Sequence, residues 1–221
     1  MINDAGVVYI YIYDLLEQYS TGDYVNMAVK HCRNRENAAM FRGITYTDAS
    51  FEIRRTASGK PYFPDCENIR FSVSHSGAFF VCALSEQNIG VDLERRSKLP
   101  GESDVDTSIR LCKIADRFFH PNEAVLIKTD PMTRFYEVFT AKESYVKYLG
   151  TGFDDAAAEN SILPDPGLLP SCHQSEGAVS WKSADVQFWQ TVYLGDYVLC
   201  FCTAGSNMIP KVNIIDLRHL R

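Results

Sequence analysis

The sequence lacks several features that would assign it to a common class. Its 221 residues show no basic excess, because 22 lysines and arginines stand against 28 aspartates and glutamates, for a net charge of −6. General nucleic-acid binding usually needs a basic face and is not expected, although a local basic cluster could still hold a phosphate. No apolar run approaches the length of a membrane span, and the first residues lack the basic start of a signal peptide. We expect a cytoplasmic protein without membrane contacts.

Three chemical motifs are also missing. The sequence has no CxxC, no G-x-S-x-G and no complete P-loop. These absences argue against a thiolate zinc site, an α/β-hydrolase nucleophile and a Walker-type nucleotide site. The cysteines are scattered and odd in number, as is typical of reduced thiols in a cytosolic protein. They are Cys32, Cys66, Cys82, Cys112, Cys172, Cys200 and Cys202.

The composition, with 46% hydrophobic and 23% charged residues, indicates a folded chain with a substantial core. Clusters of β-branched and aromatic residues predict strands at 7–13, 51–55, 71–74, 79–85, 89–94, 186–194 and 197–203. Apolar spacing predicts helices at 24–41, 109–119, 121–128 and 131–149. The segment 154–177 carries three prolines and is predicted to be mainly loop. The polar stretch 98–107 is the best candidate for a domain junction.

Asp92 and Glu94 form the first candidate chemical group. They lie in the sequence Gly-Val-Asp-Leu-Glu at 90–94, within a predicted strand whose alternate side chains share a face. Two such carboxylates repel each other unless water or a cation bridges them, and Mg²⁺ takes one or two carboxylates together with waters and phosphates. In isolation a solvated strand end, with Arg95 and Arg96 as salt partners, is the commoner explanation.

A second charged group lies on the predicted helix 131–149. Glu143 and Lys147 are one helical turn apart and share a face, with Lys142 adjacent in sequence. Such a pair is usually a surface contact worth a few tenths of a kcal/mol. A functional interpretation needs a metal and a phosphate. Glu143 would then add an oxygen ligand, and the two lysines would neutralise phosphate charge.

Two turns carry polar side chains suited to phosphate. Ser74 and His75 precede a glycine turn, and because adjacent strand residues point to opposite faces they do not form a nucleophile–base pair. A hydroxyl and an imidazole can instead bind phosphate oxygens. Lys60 lies in the Gly-Lys-Pro turn at 59–61, where the proline keeps the lysine extended. Taken singly, each segment is better explained as an ordinary turn.

The order of these four segments resembles the Sfp-type 4′-phosphopantetheinyl transferase family. That family has a Gly-Lys-Pro turn, a Ser-His-Ser-Gly segment, a Gly-[Ile/Val]-Asp-[Ile/Leu/Val]-Glu strand and a helix with Lys-Glu-x-x-x-Lys, in the order found here between residues 59 and 153. The Arg-Phe-Phe-x-x-x-Glu stretch at 117–123 also matches. Phe139 stands where the family usually has tryptophan, and the basic region before the first turn is shorter. Candidates there for the coenzyme A 3′-phosphate are Arg33, Arg35 and Arg42.

The resemblance implies an α+β fold built from two similar halves, residues 1–100 and 101–221, in a pseudo-dimeric monomer. It also implies an enzyme, a Mg²⁺-dependent 4′-phosphopantetheinyl transferase. The enzyme would move the 4′-phosphopantetheine group from coenzyme A to a serine of an apo acyl or peptidyl carrier protein and release adenosine 3′,5′-bisphosphate. Such phosphoryl transfer without a covalent enzyme intermediate depends mainly on positioning and charge stabilisation.

The resemblance further implies a role for each motif residue. The residues implied to bind Mg²⁺ are Asp92, Glu94 and Glu143. Those implied to contact coenzyme A are Lys60, Ser74, His75, Lys142 and Lys147. Glu143 is the expected general base, directly or through a metal-bound water, and Lys142 is expected beside the leaving oxygen.

Two alternatives stand beside the transferase. A non-catalytic coenzyme A or nucleotide-binding regulator on the same scaffold would use the phosphate-binding turns but has no need of all three carboxylates. A metal-dependent phosphohydrolase is the more distant alternative. It would release adenosine bisphosphate without a protein acceptor, which distinguishes it from a transferase.

Overall fold

The computed structural model describes residues 7–36, 39–41, 51–152, 160–164, 170, 178–183, 185–204 and 209–215. Arg42, Cys172, most of the predicted loop at 154–177 and the side chain of Arg35 lie outside these residues. The six described cysteines are free thiols. Within the described ranges, no helix is long and apolar enough to cross a bilayer.

The chain runs through two similar series of strands and helices. The first series comprises β1 (Val7–Asp14), α1 (Thr21–Glu36), a 3₁₀ turn (Ala39–Phe41), β2 (Arg54–Arg55), β3 (Pro61–Tyr62), β4 (Arg70–Ser76) and β5 (Phe79–Ser85). The second comprises β6 (Ile89–Arg95), α2 (Asp104–Phe118), α3 (Pro121–Thr129), α4 (Pro131–Leu149), β7 (Val179–Ser183), β8 (Val186–Tyr193), β9 (Tyr197–Ala204) and β10 (Ile209–Ile215). The predicted α+β class is confirmed.

Two four-stranded sheets form the centre of the fold, with strand orders β10-β1-β5-β4 and β6-β9-β8-β7. In each sheet, the first strand of a series pairs antiparallel with the second strand of a later hairpin, β1 with β5 and β6 with β9. β10 then adds to β1 in parallel, and β6 joins the second sheet although it precedes residue 100. The repeated order favours two related halves, but the boundary near residue 100 and the pseudo-dimer stay predictions.

The sheets pack face to face between two layers of helix. β1 shows the reason, since its aliphatic side chains alternate with tyrosines and both sets are buried. The aliphatic set, which packs against β6 and β9, is Val8, Ile10 and Ile12. The tyrosine set, which packs against α1, is Tyr9, Tyr11 and Tyr13. Helices α2, α3 and α4 cover the far side of the second sheet.

Helix α4 lies directly on β6 because Gly90 has no side chain. A Cβ atom at this position would lie 1.8 Å from the carbonyl oxygen of Ser144 and 2.5 Å from the backbone nitrogen of Tyr148. The helix begins at Pro131, whose missing N–H costs nothing in the first turn, and is capped after Leu149 by Gly150, which has a φ of 74°. Glycine therefore sets how closely α4 approaches the strand that carries Asp92.

Several elements differ from the sequence predictions. α1 ends at Glu36 rather than at residue 41, and the strand predicted at 51–55 is reduced to Arg54–Arg55. β7 and β10 were not predicted. β7 alternates in burial, but it is only five residues long and Trp181 is its one buried residue, so its apolar signal is weak. β10 contains a proline, which is tolerated because this strand lies at the edge of its sheet.

Candidate active site

Serine side chains bridge β4 and β6, which lie side by side but belong to different sheets. Ser72 Oγ accepts a hydrogen bond from the Val91 N–H (3.0 Å), and Ser76 Oγ accepts one from the Arg95 N–H (3.0 Å). Residues two apart on a strand share a face, so Ser74 points the same way. The bridge holds the strand that carries the carboxylates against the Ser-His-Ser-Gly segment.

Asp92 is the centre of a buried polar cluster and is 2% exposed. Its Oδ1 accepts hydrogen bonds from Ser74 Oγ (2.7 Å) and from Lys147 Nζ (2.6 Å), and Lys147 also donates to Ser74 Oγ (3.0 Å). Asp92 Oδ2 is buried without a hydrogen-bond partner in the described part of the chain. An unsatisfied buried carboxylate oxygen is costly, so this atom is a position at which a ligand would be favoured.

Glu94 and Glu143 add two further carboxylates next to Asp92. Burial, followed by the negative charge of Asp92, raises the pKa of Glu94 to about 7. The same two causes, in the same order, raise the pKa of Glu143, and Lys147 opposes the shift at both acids. Because one ammonium group faces three acids, a further cation would be favoured here.

Two adjoining cavities open beside the carboxylates. One, of about 260 Å³, lies between the Gly-Lys-Pro turn, β4 and the end of α4. The other, of about 380 Å³, opens onto Asp92, Glu94 and the exposed His75. The cavities adjoin, since they share four lining residues. These are Arg55, Val73, Glu143 and Lys147.

Lys60 lines the first cavity, but its ammonium group lies at the end of α4. Nζ donates to Asn88 Oδ1 (2.6 Å) and to the Tyr148 carbonyl (2.8 Å). That carbonyl is one of the last four of the helix, so the cation also meets the negative end of the helix dipole. Burial lowers the pKa of Lys60 to about 8. Lys60 thereby fastens the Gly-Lys-Pro turn to α4.

The structure corrects the prediction for Lys142. Its side chain is 1% exposed and forms an ion pair with the fully buried Glu123 of α3, while Nζ also donates to the Asn160 carbonyl (2.9 Å). Successive residues on a helix point about 100° apart, so the rotation that turns Glu143 toward β6 turns Lys142 away from it. Neither a coenzyme A contact nor a place beside the leaving oxygen fits this position.

The other seven predicted site residues line the two cavities. They are Lys60, Ser74, His75, Asp92, Glu94, Glu143 and Lys147. The sequence analysis did not identify Arg55, although this residue lies four positions before Gly59 of the Gly-Lys-Pro turn. It also missed Ser72 and Ser76, which the period-two spacing around Ser74 could have indicated.

The donor set fits Mg²⁺ in its chemistry. Carboxylate oxygens are the hard ligands that Mg²⁺ prefers, and Asp92 Oδ2 is a buried oxygen without a hydrogen bond among the described residues. Across those same residues, no group of three or more His, Cys, Asp or Glu side chains is already gathered as a metal site. Complete coordination would therefore require phosphate oxygens and waters, which is the usual situation for this ion.

A sequence model of the 4′-phosphopantetheinyl transferase superfamily matches residues 88–202, or 115 of the 221 residues. The 4′-phosphopantetheinyl transferase gsp of Aneurinibacillus migulanus is 38% identical over 104 residues, covering 45% of this chain and 38% of that protein. A 4′-phosphopantetheinyl transferase of Bacillus subtilis is 35% identical over 149 residues, covering 63% of this chain and 61% of that protein. The 4′-phosphopantetheinyl transferase Sfp of Bacillus subtilis (strain 168) is 34% identical over 170 residues, covering 73% of this chain and 67% of that protein. The first two alignments thus span less than two thirds of the relative's length.

Proposed function

The chain belongs to the 4′-phosphopantetheinyl transferase superfamily, and from this premise we propose that it moves 4′-phosphopantetheine from coenzyme A to a serine of an apo acyl or peptidyl carrier protein. The other product is adenosine 3′,5′-bisphosphate. One observation carries the proposal: Asp92, Glu94 and Glu143 line a single cavity together with Lys147. We also propose a monomer, because both sheets of one chain supply the walls of the site, and a cytoplasmic location, in keeping with the six described free thiols.

The pyrophosphate of coenzyme A would lie where the two cavities adjoin. Arg55 and Lys147 offer two cations that line both cavities, and His75 offers an imidazole at the second cavity. The carboxylates outnumber these cations, so the anion would be repelled without further positive charge. When bound, Mg²⁺ would neutralise the carboxylates and the pyrophosphate and make the attacked phosphorus more electrophilic.

Glu143 is the proposed general base. The pKa of Glu143 is raised toward the operating pH, and a general base is most effective when its pKa lies near that pH. It would take the proton of the carrier serine as the serine Oγ–phosphorus bond forms. The bond from that phosphorus to the adenosine bisphosphate oxygen breaks in the same step. Lys147, which faces the cavity, would offset the charge on the phosphoryl oxygens.

The release of adenosine 3′,5′-bisphosphate tests the proposal. Purified protein is incubated with coenzyme A, with or without an apo carrier protein, in Mg²⁺ or in EDTA. We expect release only when the carrier and Mg²⁺ are both present, and restoration when Mg²⁺ replaces the chelator. Release without a carrier would indicate a phosphohydrolase. Coenzyme A binding without any release, across a panel of carrier proteins, would indicate a regulator.

A further inference from the structure

The Glu123–Lys142 ion pair lies on the side of α4 that faces away from the carboxylate cluster. Both side chains are buried, at 0% and 1% exposure. Glu123 Oε2 also accepts from the His120 N–H (3.1 Å), and Oε1 accepts from the Ile162 N–H (2.8 Å). Lys142 donates its second hydrogen bond to the Asn160 carbonyl (2.9 Å). The pair therefore ties the start of α3 and the segment around Ile162 to α4.

Stability alone is a weak reason for such a pair. Two charges lose their hydration when they are buried, and apolar side chains of similar size often stabilise the same space as well or better. What an apolar pair does not supply is direction. The hydrogen bonds of Glu123 and Lys142 are satisfied only when α4 presents Lys142 toward α3, so they select one rotation of the helix about its axis.

That rotation decides what faces the active site. Lys142 and Glu143 are neighbours about 100° apart on the helix, and Lys147 lies one turn beyond Glu143 on the same face. At the level of these residues α4 touches β6 through Gly90, against the Ser144 carbonyl. The glycine itself provides no side chain that resists rotation, so the ion pairs on either side of it, Lys147–Asp92 and Lys142–Glu123, hold the rotation of α4.

We propose that the Glu123–Lys142 pair positions the active site by setting the rotation of α4, which places Glu143 and Lys147 opposite Asp92. Lys142 is then a positioning residue that acts through its neighbour and does not touch coenzyme A. This inference rests on the proposed transferase function, because its consequence is measured as turnover.

The test replaces both partners together, Glu123→Leu with Lys142→Met, so that no buried charge is left alone. We expect the double variant to fold, with a lower Tm because the His120 and Ile162 N–H groups and the Asn160 carbonyl lose their partners. Its kcat should fall roughly 100-fold, the scale expected of misplaced catalytic groups. Its KM for coenzyme A should change by less than about threefold, because the cavity walls remain in place. A folded double variant with wild-type kcat would overturn the proposal.

Glu123→Asp provides a second test that keeps the charge and shortens the side chain by one methylene. We expect a folded protein whose kcat falls about tenfold with little change in KM. A folded Glu123→Asp variant with wild-type kcat would overturn the proposal even where the double variant does not fold. The matched control is Asp116→Asn with Lys128→Gln, which removes an exposed pair between α2 and α3 and should leave kcat unchanged. Absence of transfer by the wild type would instead refute the proposed function.

Discussion

On one side of α4, Glu123 and Lys142 are buried together, and both carboxylate oxygens and the ammonium group have hydrogen-bond partners. On the other side, Asp92 is just as deeply buried, but one of its oxygens lacks a partner among the described residues. Glu143, which lies next to Lys142 in sequence, has a pKa raised by burial and by Asp92. The same helix thus carries a satisfied charge cluster and an unsatisfied one.

The difference separates structural from functional charge. A folded chain normally satisfies its buried polar groups, and the Glu123 side of α4 follows that rule. On the Asp92 side the acids crowd together and one oxygen has no hydrogen-bond partner within the described ranges, and perturbed charges of this kind cluster where ligands bind. Four predictions test whether the two sides differ in this way.

The largest effect is expected from the unsatisfied side. Asp92→Ala and Glu143→Gln should each lower kcat on the order of 10³-fold, because each removes a carboxylate proposed to hold Mg²⁺ and the second also removes the proposed general base. Circular dichroism and Tm should show an intact fold. The matched control is Glu86→Gln, an exposed acid of the loop before β6, which should leave kcat unchanged. Near-normal turnover in either variant would remove that carboxylate from the site.

The spacing between α4 and β6 should matter next. Gly90→Ala would place a Cβ atom 1.8 Å from the Ser144 carbonyl oxygen, so the helix must move away and carry Glu143 with it. We expect kcat to fall roughly 100-fold, with a lower Tm. Gly22→Ala is the matched control, since its Cβ would meet its nearest neighbour at an ordinary 3.6 Å. Equal effects at the two glycines would contradict a special role for the close approach.

Lys60→Ala should have a smaller effect that is confined to one substrate. The side chain fastens the Gly-Lys-Pro turn to the end of α4 beside the first cavity. We expect the KM for coenzyme A to rise about tenfold, with a smaller change for the carrier protein. Lys128→Ala, which changes an exposed lysine on α3, should alter neither. A larger change in the carrier KM would mean that this turn has been assigned to the wrong substrate.

The smallest effect is a pH-dependent shift in Tm. The pKa of Glu94 is raised from 4.5 to about 7, so within that window the metal-free folded protein binds more protons than the unfolded chain and loses stability as pH rises. Mg²⁺ competes with these protons, so it should raise Tm by several degrees at pH 8 and by less at pH 5. Differential scanning fluorimetry measures both values. Equal shifts at the two pH values would contradict a metal bound at these acids.

The sequence predicted those parts of the site that depend on local geometry. The alternation in β6 correctly predicted that Asp92 and Glu94 share one face and that Val91 points into the core. The four-residue spacing in α4 correctly predicted that Glu143 and Lys147 lie on the same face of the helix. Lys142 was misassigned because its neighbours in the motif were taken as neighbours in space. Around the axis of a helix, Lys142 points about 100° away from Glu143.

Other parts of the site depend on contacts between distant segments. Glu123, the partner of Lys142, comes from α3, and only the packing of α3 on α4 brings the two together. The serine bridge between β4 and β6 likewise depends on two sheets meeting at their edges. β10 was not predicted because proline disfavours a strand except at the edge of a sheet. Only the structure shows that β10 lies at such an edge.

Intact-protein mass spectrometry of an apo carrier protein, incubated with coenzyme A, Mg²⁺ and this protein, tests the central claim most directly. The account predicts that the carrier gains the mass of one phosphopantetheine group, located on a serine. It also predicts no gain with the Asp92→Ala variant or in EDTA. An unmodified carrier across acyl and peptidyl carrier proteins, with folded wild-type protein and bound coenzyme A, would contradict it.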